Sequence, residues 1–383
     1  MSINPRFLLI MVGSVATAIM FGLLVGHLSV GKPETSKFTE ILNAEKADDA
    51  VAAIREHNTR FMASIAPGSH IPSILMEVRF AHEAGITQII LESPLPFTHK
   101  QLNRLADTIA SVKTIAGDIT IAIALDCNPP QSWLRENPDD TSTSSTDGLL
   151  YPSIGSKKWK ADTLSRIGEL IAALNTDIET GRIDGFMLQG LEDGNWMRSH
   201  GQDQSLIHLD AFRRWVMGRY KNGPTLRAAW NNPALESLES IQLPAETPDD
   251  SKQDTFYSPE NDRQSIDYTL FLNQTTSKFI GDLASEIRKT TNPDFSILAA
   301  YPAYLEHAAP KSGAWGIGTF ERSEVDGIVT HTMSRHRQAG EHGYFATPLI
   351  KGMETLSIDD TYTGIKFNQN TQSIDVPGVF IPN

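Results

Sequence analysis

The sequence lacks three features that would each indicate a class of protein. It has a single cysteine, Cys127, in 383 residues, which excludes an intramolecular disulfide and a zinc site built from cysteines. No G-x-G-x-x-G motif opens the first predicted helix, so a dinucleotide-binding fold is not favoured. Basic residues are also few, 33 against 46 acidic ones, and the net charge is −13. Because no basic stripe is present to neutralise phosphates, we expect no binding to nucleic acid.

The first 30 residues hold one charged side chain, Arg6. The apolar segment 7–30 is long enough to span a bilayer, which takes roughly 20 residues, and no convincing A-x-A cleavage site follows it. We therefore predict a signal anchor or transmembrane helix at 1–30, a linker with a leading helix at 31–58, and a folded body at 59–383. The expected location is a single-pass membrane protein with an extracytoplasmic body. The alternative is secretion after signal cleavage.

Apolar strand-like runs alternate with helical patterns along the body. The predicted strands are 60–66, 86–91, 119–125, 183–188, 295–301 and 325–330, and the predicted helices include 74–84, 102–115, 160–175 and 269–290. This order predicts an α/β fold with a parallel sheet, most simply a (β/α)8 TIM-type barrel. Residues 356–358 are a candidate for the edge of a seventh strand, and an eighth unit is hard to find before the end. The barrel is therefore expected to be incomplete at the C-terminus or closed by the short tail 379–381.

The fourth predicted strand runs into a glycine-rich polar loop. The loop contains Gln189, Gly190, Glu192, Asp193, Gly194, Asn195 and Trp196. A (β/α)8 barrel builds its site from such loops, at the carboxyl ends of its strands. Taken alone, the stretch is more typical of a buried strand followed by an ordinary polar turn.

Several motifs, taken in order, resemble glycoside hydrolase family 42, the β-galactosidase type. They are P-P-x-x-W-L within 126–140, Phe212-x-x-Trp215 followed by Tyr220 and Trp230, and Phe256-Tyr257 followed by Ile266-Asp267-Tyr268. The resemblance covers about residues 60–363. It implies a TIM barrel, a saccharide ligand, and two catalytic carboxyl groups at the ends of the fourth and seventh strands.

The sequence departs from the family pattern at both catalytic positions. The resemblance places Asn195 where the family has its acid/base glutamate and Ile358 where it has its nucleophile. An amide does not transfer protons at a useful pKa, and an alkyl group cannot form a glycosyl ester. We therefore expect saccharide binding with hydrolysis lost or much reduced. One alternative is an active retaining glycosidase that uses Glu192 and Asp359. A second is a structural or partner-binding protein with a vestigial cleft.

The predicted binding site is built from aromatic and polar side chains. Its members are Trp133, Gln189, Asn195, Trp196 and Arg337, with Trp133 and Trp196 expected to form a sugar platform. His331, His336 and His342 fit no familiar metal-binding spacing, so no metal is expected, and no motif calls for a cofactor. The sequence does not indicate an oligomeric state.

Overall fold

In the computed structural model, the described residues are 60–65, 69–83, 85–143, 148–192, 194–196, 202–244, 258–300, 323–332, 354–359, 366–368, 373–375 and 379–382. All of them belong to one of two compact units, the one formed by Asn58–Arg337 and His342–Asn383. The predicted membrane span and leading helix at 1–58 lie outside the described residues. Within the described part, every helix is too short or too polar to cross a bilayer.

The body begins with strands and helices in alternation. They are β1 (Arg60–Ser64), α1 (Ile71–Glu83), β2 (Gln88–Pro94), α2 (His99–Ile115) and β3 (Thr120–Asp126). Thr98 begins α2 with a capping box, in which its side chain and that of Gln101 each accept a hydrogen bond from the other's backbone N–H. This part of the predicted element order is confirmed.

An excursion separates β3 from the next strand of the sheet. It contains α3 (Gln131–Glu136), a 3₁₀ turn (Pro138–Asp140), the hairpin β4 (Thr141–Thr143) and β5 (Leu150–Pro152), and α4 (Lys157–Glu179). Ser156 caps α4 by accepting a hydrogen bond from the Trp159 backbone N–H at 2.9 Å. Strand β6 (Ile183–Gln189) follows, where the fourth strand of the barrel was predicted.

The second half of the body has longer connections between its strands. Its elements are α5 (Leu206–Tyr220), α6 (Gly223–Ala229), α7 (Arg263–Arg288), β7 (Ser296–Ala300), β8 (Gly327–Thr332), β9 (Glu354–Asp359), β10 (Lys366–Asn368), β11 (Ser373–Asp375) and β12 (Val379–Pro382). Strands β10 and β11 form a separate two-stranded hairpin.

The main strands pair in the cyclic order β1–β2–β3–β6–β7–β8–β9–β12, and β12 pairs back to β1. The pairs from β1 round to β9 are parallel. Strand β12 is antiparallel to both of its neighbours. An α/β fold with a parallel sheet is therefore confirmed, and its last paired strand runs opposite to the other seven. We call these eight strands the strand ring.

Apolar side chains pack on both faces of the strand ring. The larger core lies between the strands and the helices and includes Ile123, Leu188, Trp159 and Phe279. The smaller core contains strand residues alone: Ile90, Ala122, Ala124, Met187, Leu298, Ala300 and Val329. Because strand residues alternate between faces, this second set lines the inside of the ring. Three of its seven members are alanines, which suits the crowded interior of a small ring.

Candidate functional site

Three polar residues lie above the apolar interior, at the carboxyl end of the strand ring. Glu92, Asp126 and Gln189 each come two positions after an interior residue of the same strand. The interior residues that precede them are Ile90, Ala124 and Met187. Asp126 pairs with Gln189 across β3 and β6, and Glu92 pairs with Ala124 across β2 and β3. We call these three residues the mouth cluster, because strand alternation places them on the inner face of the ring.

The mouth cluster contains two carboxyl groups that form no ion pair within the part of the chain that the structure describes. The pKa of Asp126 is raised to about 6, mainly by burial and to a smaller extent by the nearby Glu92 carboxylate. The Asn128 backbone N–H opposes the rise by donating to Asp126 Oδ1 at 3.0 Å. Within the described ranges, no lysine, arginine or histidine forms an ion pair with Glu92 or Asp126. A carboxyl group whose pKa is raised by burial, such as that of Asp126 at the carboxyl end of the strand ring, is typical of a functional site.

The loop after β6 folds back on its own strand. Gly190 and Asn195 form an isolated bridge, and the Trp196 backbone N–H donates to the Gly190 carbonyl at 2.7 Å. Leu191 and Trp196 have positive φ angles of 57° and 56°, which only a tightly constrained non-glycine residue adopts. The Asn128 side chain fixes the loop, since its amide donates to the Leu191 carbonyl and accepts from the Leu191 N–H, both at 2.9 Å.

Trp196 lies in the core and has no exposed ring face. Its side chain is 0% exposed, and its indole N–H donates to the Leu188 carbonyl at 3.0 Å. The ring stacks on Trp159 at 6.3 Å and meets Phe279 edge-on at 5.5 Å. A Cβ added at Gly190 would lie 2.7 Å from the indole, so glycine is needed there. This placement does not fit the predicted role of Trp196 in a sugar platform, because both faces of the ring already pack against protein.

Trp133 is also used mainly for packing. It is 8% exposed, and its indole N–H donates to Asp162 Oδ2 at 2.8 Å. The Lys158 ammonium, which pairs with Asp162 at 3.2 Å, lies 5.9 Å from the centre of the Trp133 ring. Of the two tryptophans of the predicted platform, only the small exposed part of Trp133 is therefore accessible to a ligand.

The remaining predicted site residues fall into three groups. Glu192 is 1% exposed and Asn195 is 7% exposed, so both of these loop residues are buried. Ile358 pairs with His331 and Asp359 with Thr332, at the carboxyl end of β9. Arg337 lies outside the described residues, as does Asp193. Their catalytic and binding roles remain predictions, and Gln189 alone among the predicted residues belongs to the mouth cluster.

The aromatic motif that carries the family resemblance forms a structural cluster among α5, α6 and α7. Asp267 is fully buried and accepts hydrogen bonds from the Tyr220 hydroxyl and, at 2.8 Å, from the Trp230 indole N–H. Arg219 and Arg263 reach the same carboxylate at 3.4 and 3.3 Å. Buried charges persist when paired and hydrogen-bonded in this way. The motif therefore holds the helices together.

Sequence reasoning missed Glu92 and Asp126 as site residues. Each is the first acidic residue after an apolar run, which has three residues (89–91) before Glu92 and five (121–125) before Asp126. An acidic residue that ends a strand of a predicted barrel lies at its functional end. That signal was available in the sequence and would have identified both residues.

Comparisons with known proteins agree with the resemblance. The family model of Glyco_hydro_42, described as β-galactosidase, matches residues 187–307. The resemblance to glycoside hydrolase family 42 is therefore confirmed over that part of the chain. No protein of curated function matches the sequence.

Solved structures share the fold at low identity. The β-galactosidase from the psychrophilic Marinomonas ef1 superposes with a TM-score of 0.54 at 11% identity, covering 72% of this chain and 40% of that one. The β-galactosidase from Bacillus circulans sp. alkalophilus gives 0.54 at 14% identity, covering 73% and 41%. The catalytic domain of the β-amylase from Paenibacillus polymyxa gives 0.53 at 16% identity, covering 74% and 79%. The chain thus spans about two fifths of the length of the β-galactosidases that it matches.

Proposed function

We propose that the body is a family 42-like (β/α)8-type barrel that binds a saccharide at the mouth cluster and does not hydrolyse it. The observation that carries the proposal is the mouth cluster itself, two carboxyl groups and an amide above an apolar interior. Carboxylates and amides bind sugar hydroxyls, and the carboxyl end of the strands is the functional end of such a barrel. The family resemblance supports a saccharide as the ligand.

The proposed loss of hydrolysis follows from the two substituted catalytic positions. A retaining glycosidase needs two carboxyl groups about 5–5.5 Å apart, one as acid/base and one as nucleophile. The resemblance places Asn195 and Ile358 at these positions. Burial of Glu192 at 1% exposure supports the same conclusion, since the acid/base of the alternative mechanism must reach the glycosidic oxygen.

We expect the full-length protein, purified in detergent, to show no turnover of aryl β-galactosides above background. A nitrophenolate leaving group needs no protonation, so loss of the acid/base alone could be masked with such a substrate. Loss of the nucleophile cannot be masked, because no covalent intermediate forms without it. Product release measured by absorbance tests this. Turnover that Glu192→Gln abolishes would mean that the chain is a glycosidase that uses Glu192.

We also propose that residues 1–30 anchor the protein in a membrane with the body outside the cytoplasm. The support is the uncharged length of segment 7–30 and the absence of a convincing cleavage site. Reporter enzymes fused to the C-terminus should be active when they require an extracytoplasmic location. Activity of a cytoplasm-requiring reporter alone would contradict this placement.

A further inference from the structure

The charge of the mouth cluster bears on the kind of saccharide that fits it. Glu92 and Asp126 lie on neighbouring strands, close enough for one carboxylate to disfavour ionisation of the other. Neither forms an ion pair with a described residue. A buried or half-buried charge without a partner is costly, and a ligand that brings the opposite charge removes that cost. The ligand group that best matches these two carboxylates is therefore a cation.

Gln189 gives an independent indication that a ligand enters here. The residue is 5% exposed, and its side-chain amide forms no hydrogen bond with the described residues. Because Gln189 pairs with Asp126 in register, the amide and the carboxyl group are on the same face of the sheet. An amide left open beside two carboxyl groups offers one acceptor and two donors to a bound molecule.

We propose that the mouth cluster selects a saccharide that carries a free, protonated amino group. The ammonium group lies between the carboxylates of Glu92 and Asp126, and the Gln189 amide hydrogen-bonds a neighbouring sugar hydroxyl. This inference rests on the proposed function, because it specifies which saccharide the same site takes.

The chemistry separates this ligand from the other candidates. A neutral sugar can satisfy the hydrogen bonds of the two carboxylates but leaves their charge uncompensated, whereas charge-assisted hydrogen bonds to an ammonium group are roughly twice as strong. Acetylation of the amine removes the cation and adds bulk. A divalent metal ion is disfavoured, since the described residues contain no group of three or more metal-binding side chains, and calcium takes six to eight oxygen ligands.

The test uses the full-length protein in detergent and calorimetric titration with three matched oligosaccharide sets. One set consists of glucosamine and galactosamine oligomers with free amines, the second of their N-acetylated forms, and the third of the neutral glucose and galactose oligomers. At about pH 7 and low salt, we expect one of the free-amine oligomers to bind at least about tenfold more tightly than its two counterparts.

Charge-neutral variants show which residues cause the preference for free-amine oligosaccharides. Glu92→Gln and Asp126→Asn keep the size of the side chain and should each remove most of the preference for the free amine. Glu136→Gln is the matched control, because Glu136 is an exposed acidic residue of α3, after β3, and its loss changes the net charge equally. It should retain the full preference, which separates the mouth cluster from general attraction by a protein of charge −13. Unfolding curves of each variant confirm that it is folded.

The outcomes distinguish this inference from the proposed function. Equal affinity for free-amine and N-acetylated sugars, or a preference that survives both mouth variants, would overturn the inference and leave saccharide binding in place. Binding of none of the three sets would overturn the proposed function as well.

Discussion

Replacing Trp196 with alanine is expected to lower the free energy of unfolding by about 3–5 kcal/mol, the usual cost of truncating a buried tryptophan. The indole is fully buried, contacts Trp159 and Phe279, and donates a hydrogen bond to the Leu188 carbonyl. Its loss opens a cavity beneath the end of β6 and removes that hydrogen bond. Chemical denaturation with linear extrapolation measures the change.

Trp215→Ala is the matched control for this effect. Trp215 is only partly buried, and its indole N–H donates to Gln274 Oε1 at 2.9 Å on the helical surface. We expect the control to cost about 1–2 kcal/mol, because less apolar area is removed from the core. If Trp196→Ala left stability unchanged and weakened sugar binding instead, Trp196 would be the exposed platform that its position in the sequence suggested.

Asp126→Asn is expected to stabilise the protein by about 2–3 kcal/mol at about pH 7.5, since a pKa raised from 3.8 to about 6 corresponds to roughly that free energy. The folded protein keeps the Asp126 proton up to about pH 6, while the unfolded chain loses it near pH 4. The free energy of unfolding of the wild type therefore falls as pH rises from about 4 to about 6. The asparagine retains the acceptor for the Asn128 N–H without carrying the charge.

The difference between wild type and Asp126→Asn should shrink to near zero below about pH 3, where residue 126 is neutral in the folded and unfolded chains of both proteins. Measuring the free energy of unfolding of both proteins across this pH range tests the expectation. The other titratable groups that act on this carboxyl group or feel its charge are Glu92 and Cys127. A difference that does not change with pH would mean that the Asp126 charge is not what destabilises the mouth cluster.

The order of strands and helices could be predicted because hydrophobic runs and helical spacing are local signals. The run that became β3 and the helical pattern that became α4 both appear where expected. The direction of β12 could not be predicted. Its four residues carry no signal of orientation, and its pairing with Ile358 and Arg60 is a long-range property.

The candidate site was harder to predict because sequence shows that a residue is apolar, polar or aromatic, but not which face it occupies. Trp196 follows a strand end, as a sugar-binding residue would. The positive φ at Trp196 and the absence of a side chain at Gly190 nevertheless let the indole pack into the core. Glu92 and Asp126 each end an apolar run, which is a signal for the carboxyl end of a strand but not for the face of the sheet. They share the inner face with Gln189 only once the register of three strands is known.

The most direct test of saccharide binding without hydrolysis is to incubate the full-length protein with a glycan panel and then recover and analyse whatever it has bound. The account predicts that a saccharide is retained by the wild type, is recovered intact, and is lost in Gln189→Ala. A panel with no retained glycan, or a retained glycan recovered as cleaved products, would contradict it.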